Sequence, residues 1–136
     1  MKQVKSVRGL AVVACALAVA GAGCTDPHSA SFLGKVAAEM NKQLPKTLDD
    51  ETEWTSVSSQ EGQLIYNYKL TKRQASELNG PALMNGIKPQ AVQGVCANAD
   101  LKNKFLKNKV MLVYNYVDVA GAPVGGFQIV PSDCGL

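Results

Sequence analysis

Histidine is almost missing from this chain. It occurs once, as His28, within CTDPHSA (residues 24–30), a stretch whose Asp-Pro and serine suit neither helix nor strand. Serine and cysteine hydrolase chemistry usually draws on an imidazole base, so an ordinary triad is not expected. No C-x-x-C, zinc-ligand spacing, P-loop or G-x-G-x-x-G is present. The motifs therefore imply no catalytic residue, no metal and no cofactor. The acidic run Asp49, Asp50, Glu51 and Glu53 lacks the spacing of a calcium-binding loop and reads as a solvated connector. Long apolar runs are lacking too. Leu10–Ala20 is uncharged and apolar, but a bilayer-spanning helix needs about 20 such residues.

A charge imbalance is also lacking once the chain is divided. The formal net charge is +3, and Lys2, Lys5 and Arg8 supply it. Beyond residue 23 the basic and acidic residues balance, which leaves no electrostatic footprint for nucleic acid. Residues 1–23 (MKQVKSVRGLAVVACALAVAGAG) follow the order of a secretory signal peptide: a basic start, an apolar middle and a small-residue end. Two cleavage patterns are present. Ala20-Gly21-Ala22 fits ordinary secretion. Gly21-Ala22-Gly23-Cys24 resembles a bacterial lipobox, with Gly21 where an aliphatic residue is usual. Ordinary cleavage would leave three cysteines, Cys24, Cys96 and Cys134, in an oxidising compartment. Lipidation of Cys24 would leave one pair, which favours the lipoprotein reading. The expected organisation is a signal peptide over 1–23, a tether over 24–30 and one domain over 31–136.

Within that domain the periodicity changes several times. Phe32, Leu33, Val36, Met40 and Leu44 recur at helical spacing. Ser29 or Ser31 can cap that helix and Pro45 can stop it. Trp54 to Val57 favours strand, residues 58–62 are rich in turn formers, and Leu64, Tyr66, Tyr68 and Leu70 alternate with more polar neighbours. Together these predict a hairpin. Pro81 suits the first turn of a helix reaching Cys96, which Pro89 should kink or cut. A short helix, LKNKFLKNK, follows Asn98-Ala99-Asp100. Its Lys102, Lys104, Lys107 and Lys109 read as a solvated face, or as a contact for anionic lipid or an acidic partner. A second hairpin closes the chain, with its turn at residues 120–123 and with Gly125-Gly126 marking a bulge or an edge.

LIYNYKL (64–70) and LVYNYVD (112–118) repeat one pattern at an offset of 48 positions. Each puts Leu, Tyr and Tyr on one face of a strand. The expected fold is α+β, order α-ββ-α(α)-ββ: a two-layer sandwich of a four-stranded antiparallel sheet (two hairpins) with helices on the aromatic face. For Cys96 and Cys134, the export signal favours a disulfide over two free thiols or a metal site. Tyr66, Tyr68, Tyr114 and Tyr116 serve either as core or as the lining of a ligand groove.

Certain short stretches also resemble known proteins. M-N-K-Q-L-P (40–45), D-x-E-T (49–52), L-x-Y-x-Y-x-L (64–70), V-C (95–96), Y-x-Y (114–116) and D-C-G (133–135) resemble a family of small exported proteins of Gram-negative bacteria with no assigned activity. Gln43-Leu44-Pro45, Cys96-Ala97-Asn98-Ala99-Asp100 and Cys134-Gly135 resemble the AspS-type (GspS-beta) pilotins of type II secretion, which are outer-membrane lipoproteins with the same element order and paired cysteines. Pilotins of that kind bind a C-terminal helix of the secretin subunit in a groove. The resemblance implies a non-enzymatic envelope lipoprotein that binds a protein partner and is anchored to the outer membrane by lipid on Cys24. Without lipidation it would be soluble in the periplasm or secreted. Candidate partner contacts are Tyr66, Tyr68, Tyr114, Tyr116, Leu83, Met84 and Ile87. The alternative reading is a periplasmic inhibitor or immunity-type lipoprotein, which would present an exposed loop at 58–62 or 119–123.

Overall fold

The structure is a computed structural model that describes residues 26–136. The expected signal peptide and Cys24 lie outside the described residues. The first helix, α1 (Ala30–Asn41), begins where the Ser29 hydroxyl accepts the Phe32 N–H at 3.2 Å, which meets one of the otherwise unpaired donors of the first turn. It buries Leu33 and Ala37. Its last residue docks it: the Asn41 side-chain amide donates to the Val57 carbonyl at 2.7 Å and accepts the Val57 N–H at 2.8 Å. Ahead of the helix, the His28 carbonyl accepts the Gly62 N–H at 2.8 Å, fixing residues 26–29 against a strand turn.

Five strands follow in part: β1 (Lys46–Thr47), β2 (Thr52–Gln60), β3 (Gln63–Leu70), β4 (Met111–Val117) and β5 (Pro123–Ile129). Helix α2 (Gly80–Ala97) lies between β3 and β4. The expected four-stranded antiparallel sheet is corrected on two counts. The sheet has five strands, in the order β1-β2-β3-β4-β5, and β3 runs parallel to β4. The extra strand is two residues long, too short for any periodicity to show. The parallel pair arises because residues 71–110 cross over the aromatic face and return the chain to the starting end of β3. Parallel neighbours require such a crossover of about a dozen residues or more. Alternation at period two is the same for either strand direction, so the side chains carry no sign of it.

The parallel register explains the repeat. Leu64 lies opposite Leu112, Tyr66 opposite Tyr114, Asn67 opposite Asn115 and Tyr68 opposite Tyr116. The two heptads are neighbours in one sheet, like beside like. An aromatic row results. Trp54 stacks on Tyr68 (6.2 Å between ring centroids), Tyr68 on Tyr116 (5.0 Å), Tyr66 on Tyr114 (5.1 Å) and Tyr114 on Phe127 (4.9 Å). A bulge in β2 at Thr55 lets both Trp54 and Val57 join the inner face, although an odd spacing would separate them in a regular strand.

The helices cover that face from its two flanks: α1 packs on β2 and β3, and α2 on β5. At the start of α2, Gly80 leaves no room for a side-chain carbon against the Val124 carbonyl, and Met84 packs over Gly125. Pro89 does not cut α2, which continues to Ala97. Asn85, whose carbonyl loses its donor, lies on the exposed face, so water can satisfy it. The expected short helix after Asn98 is instead a π turn (Leu101–Phe105) running into a 3-10 turn (Leu106–Asn108). There the consecutive residues Phe105 and Leu106 are both buried. The expected loop at 58–62 shrinks to Glu61-Gly62, because Ser58, Ser59 and Gln60 pair with Ile65, Leu64 and Gln63.

Cys96 and Cys134 form a disulfide with Cα atoms 5.4 Å apart, tying the end of α2 to the short turn after β5.

Candidate functional site: an apolar cleft beside the aromatic row

The expected contact residues fall into two groups. Tyr66, Tyr68, Tyr114 and Tyr116 are between 4% and 9% exposed, and Met84 is 6% exposed against Gly125. Four of these five form the interior. Tyr116 differs because it also lines a cleft of about 380 Å³. Leu70 and Tyr116 supply the cleft floor from the ends of β3 and β4. Leu83, Ile87 and Gln90 of α2 form one wall, and Leu48, Asp49 and Glu51 of the β1–β2 connector with Thr52 at the start of β2 form the other. Leu83, Ile87 and Gln90 recur at intervals of four and three, so one stripe of α2 faces the opening.

Sequence reasoning named Leu83, Ile87 and Tyr116 and missed Leu48 and Leu70. Leu70 ends an alternating strand and carries no further signal. Leu48 precedes an acidic run and reads as connector. In the structure it is 50% exposed, one of three large hydrophobic side chains at 40% or more among the described residues. The connector holds its shape through backbone contacts: the Leu48 N–H donates to the Thr52 carbonyl at 2.9 Å, and the Glu51 N–H donates to the Asp49 carboxylate at 2.8 Å. That second bond holds the Asp49 carboxyl below its ordinary value.

A smaller cleft of about 190 Å³ lies under the end of α1, lined by Glu39, Met40, Gln43, Leu44, Lys46 and Trp54. Among the described residues, Trp54 Nε1 is buried without a hydrogen-bond partner, as is Tyr66 Oη beside it in the row. Burial pushes the Tyr114 and Tyr116 hydroxyls up to about 12, and raises those of Tyr66 and Tyr68 as well. All four are neutral near pH 7 and act as packing surface with a polar tip. Among the described residues, no three His, Cys, Asp or Glu side chains are grouped to hold a metal ion.

No family model matches the sequence, and no curated protein matches it. Solved structures do. A candidate secreted protein of Pseudomonas aeruginosa aligns with a TM-score of 0.65 at 19% identity, over 77% of this chain and 91% of that one. The type II secretion pilotin EpsS of Vibrio vulnificus aligns at 0.63 and 13% identity, over 79% and 92%. The type II secretion pilotin AspS of Vibrio cholerae aligns at 0.59 and 13%, over 77% and 91%.

The fold is shared with type II secretion pilotins. The pilotin-like layout expected from the cysteines and flanking residues is met at the level of architecture. Sequence identities this low carry the fold and leave the site to its own geometry.

Proposed function

We propose that this protein is a non-enzymatic adaptor of the cell envelope, pilotin-like in action, that holds an amphipathic helix of a protein partner in the cleft between α2 and the β1–β2 connector. The observation that carries this reading is the cleft itself. Leu48, Leu70, Leu83, Ile87 and Tyr116 surround it, and Leu48 is left half exposed. Apolar anchors spaced along a partner helix would find complementary surface there, which is the helix-in-groove mode of recognition. Export through the signal peptide, lipid on Cys24 and residence at the outer membrane belong to the same proposal. They would place the cleft on the periplasmic side, tethered close to an assembling membrane partner.

The inhibitor alternative would rest on the exposed turn at 119–123, where Val119 is 40% exposed, because residues 58–60 are paired in β2 and leave a two-residue turn at the other expected loop.

The test is crosslinking in intact envelopes, then purification of the full exported chain and identification of retained proteins, in cells with and without secretion machinery. A retained partner, lost on Ile87→Asp, is expected. Recovery of the same background proteins from wild type and variant would reject the reading. Mass measurement of the processed chain checks the anchor: an acylated N-terminal Cys24 is expected, and an unmodified N-terminus would remove lipidation from the proposal.

A further inference from the structure

The cleft is apolar within and acidic at its lip. Among the described residues that line it, Asp49 and Glu51 carry charge, both negative. Asp50 lies exposed on the same connector. Glu51 meets Arg73 at 3.8 Å, with both side chains about half exposed. A contact so long and so solvated leaves most of the carboxylate's field unneutralised. Asp49 forms no ion pair among the described residues; its carboxylate accepts the Glu51 N–H at 2.8 Å. The nearby cation of α2, Lys88, is directed to Asp133 at 3.9 Å. The domain as a whole is neutral, so this one-signed lip is a local arrangement rather than a reflection of net charge.

Resting on the helix-in-cleft reading, we infer that the partner segment is cationic at one end: apolar anchors enter between Leu48 and Ile87, and a flanking Lys or Arg reaches Asp49 and Glu51. The acidic lip then selects which segments dock and in which direction. Reversing the segment would carry its cation away from the lip, toward the opposite end of the cleft. Like charges at the lip would be disfavoured, which is how a charge rim discriminates between apolar segments of similar shape.

The experiment uses the processed full-length protein and three synthetic helical peptides with one shared apolar stripe. The first carries two Lys at its C-terminal end, the second two Glu in the same places, and the third the two Lys at its N-terminal end. Binding is read by fluorescence anisotropy at low and at high salt. At low salt one of the Lys peptides is expected to bind about tenfold tighter than the Glu peptide, a gain that two partly exposed ion pairs supply. The gap between them should narrow at high salt as screening grows. The double variant Asp49→Asn, Glu51→Gln should bring the Lys and Glu peptides to equal affinity; Asn retains the oxygen that holds the Glu51 N–H. Ile87→Asp should abolish binding of every peptide. Equal affinity for Lys and Glu peptides, with Ile87→Asp still abolishing both, overturns the charge inference and leaves the cleft reading standing. Binding that Ile87→Asp does not alter, or no binding at all, overturns both.

Discussion

Asp118 is 4% exposed at the end of β4, and its carboxylate accepts three backbone N–H groups: Ala75 at 2.9 Å, and Ala120 and Ala122 at 2.8 Å each. It joins the crossover connection to the β4–β5 turn. These bonds, the one from Ala75 first, hold its carboxyl below the ordinary 3.8. The unfolded chain binds the proton more readily, so the contribution of Asp118 is full above 3.8 and is lost as pH falls through the lower folded value. Asp118→Asn should lower the urea midpoint at pH 7 and flatten the acid limb of the stability curve. A variant whose acid limb matches wild type would remove Asp118 from that role. Tyr66 gives the opposite expectation. Its buried hydroxyl finds no partner among the described residues, and an unmet buried polar group costs about 1–3 kcal/mol. Tyr66→Phe should therefore leave the urea midpoint unchanged or raise it; a marked fall would show that the hydroxyl has a partner after all.

At the scale of the element, the aromatic row is one object made from β2, β3, β4 and β5. Its four tyrosines titrate above the ordinary 10, burial being the main cause for each. A hydroxyl held neutral by the fold contributes its full stability below pH 10 and loses it as pH climbs toward the folded value, about 12 for Tyr114 and Tyr116. Alkaline unfolding is expected in that window, with tyrosinate absorbance and loss of far-ultraviolet ellipticity rising together. Tyrosinate forming well before the sheet unfolds would mean that the row is open to solvent. The shared face of Tyr66, Tyr68, Tyr114 and Tyr116 was legible in the sequence because alternation assigns sides. The neighbour relation of the two heptads was not, because partner choice depends on where the crossover returns the chain.

At the scale of the whole molecule, the Cys96–Cys134 bridge closes a separation of 38 residues. The chain-entropy model gives such a loop roughly 3–4 kcal/mol, a large share of the 5–15 kcal/mol or so of a typical domain. Reduction, or Cys134→Ser, should lower the urea midpoint accordingly, and an unchanged midpoint on reduction would show the bridge to be dispensable. The bridge also fixes the far end of α2. Leu83 and Ile87 thus stand on a helix held at both ends, by Gly80 against β5 and by Cys96 against the turn after β5.

By itself the sequence determined the local quantities: which residues alternate, that a serine at 29 or 31 caps the first helix, that Pro81 opens the second, and that Cys96 and Cys134 are the pair an exported domain would join. Each follows from chemistry within a few positions along the chain or, for the cysteines, from there being so few candidates. The tertiary structure alone decided the direction of β4, the fifth strand, the continuity of α2 through Pro89 and the assembly of the cleft from Leu48, Leu70, Ile87 and Tyr116. Those depend on which distant segments become neighbours, a choice made by the packing of the crossover on the sheet, and period-two alternation is blind to it.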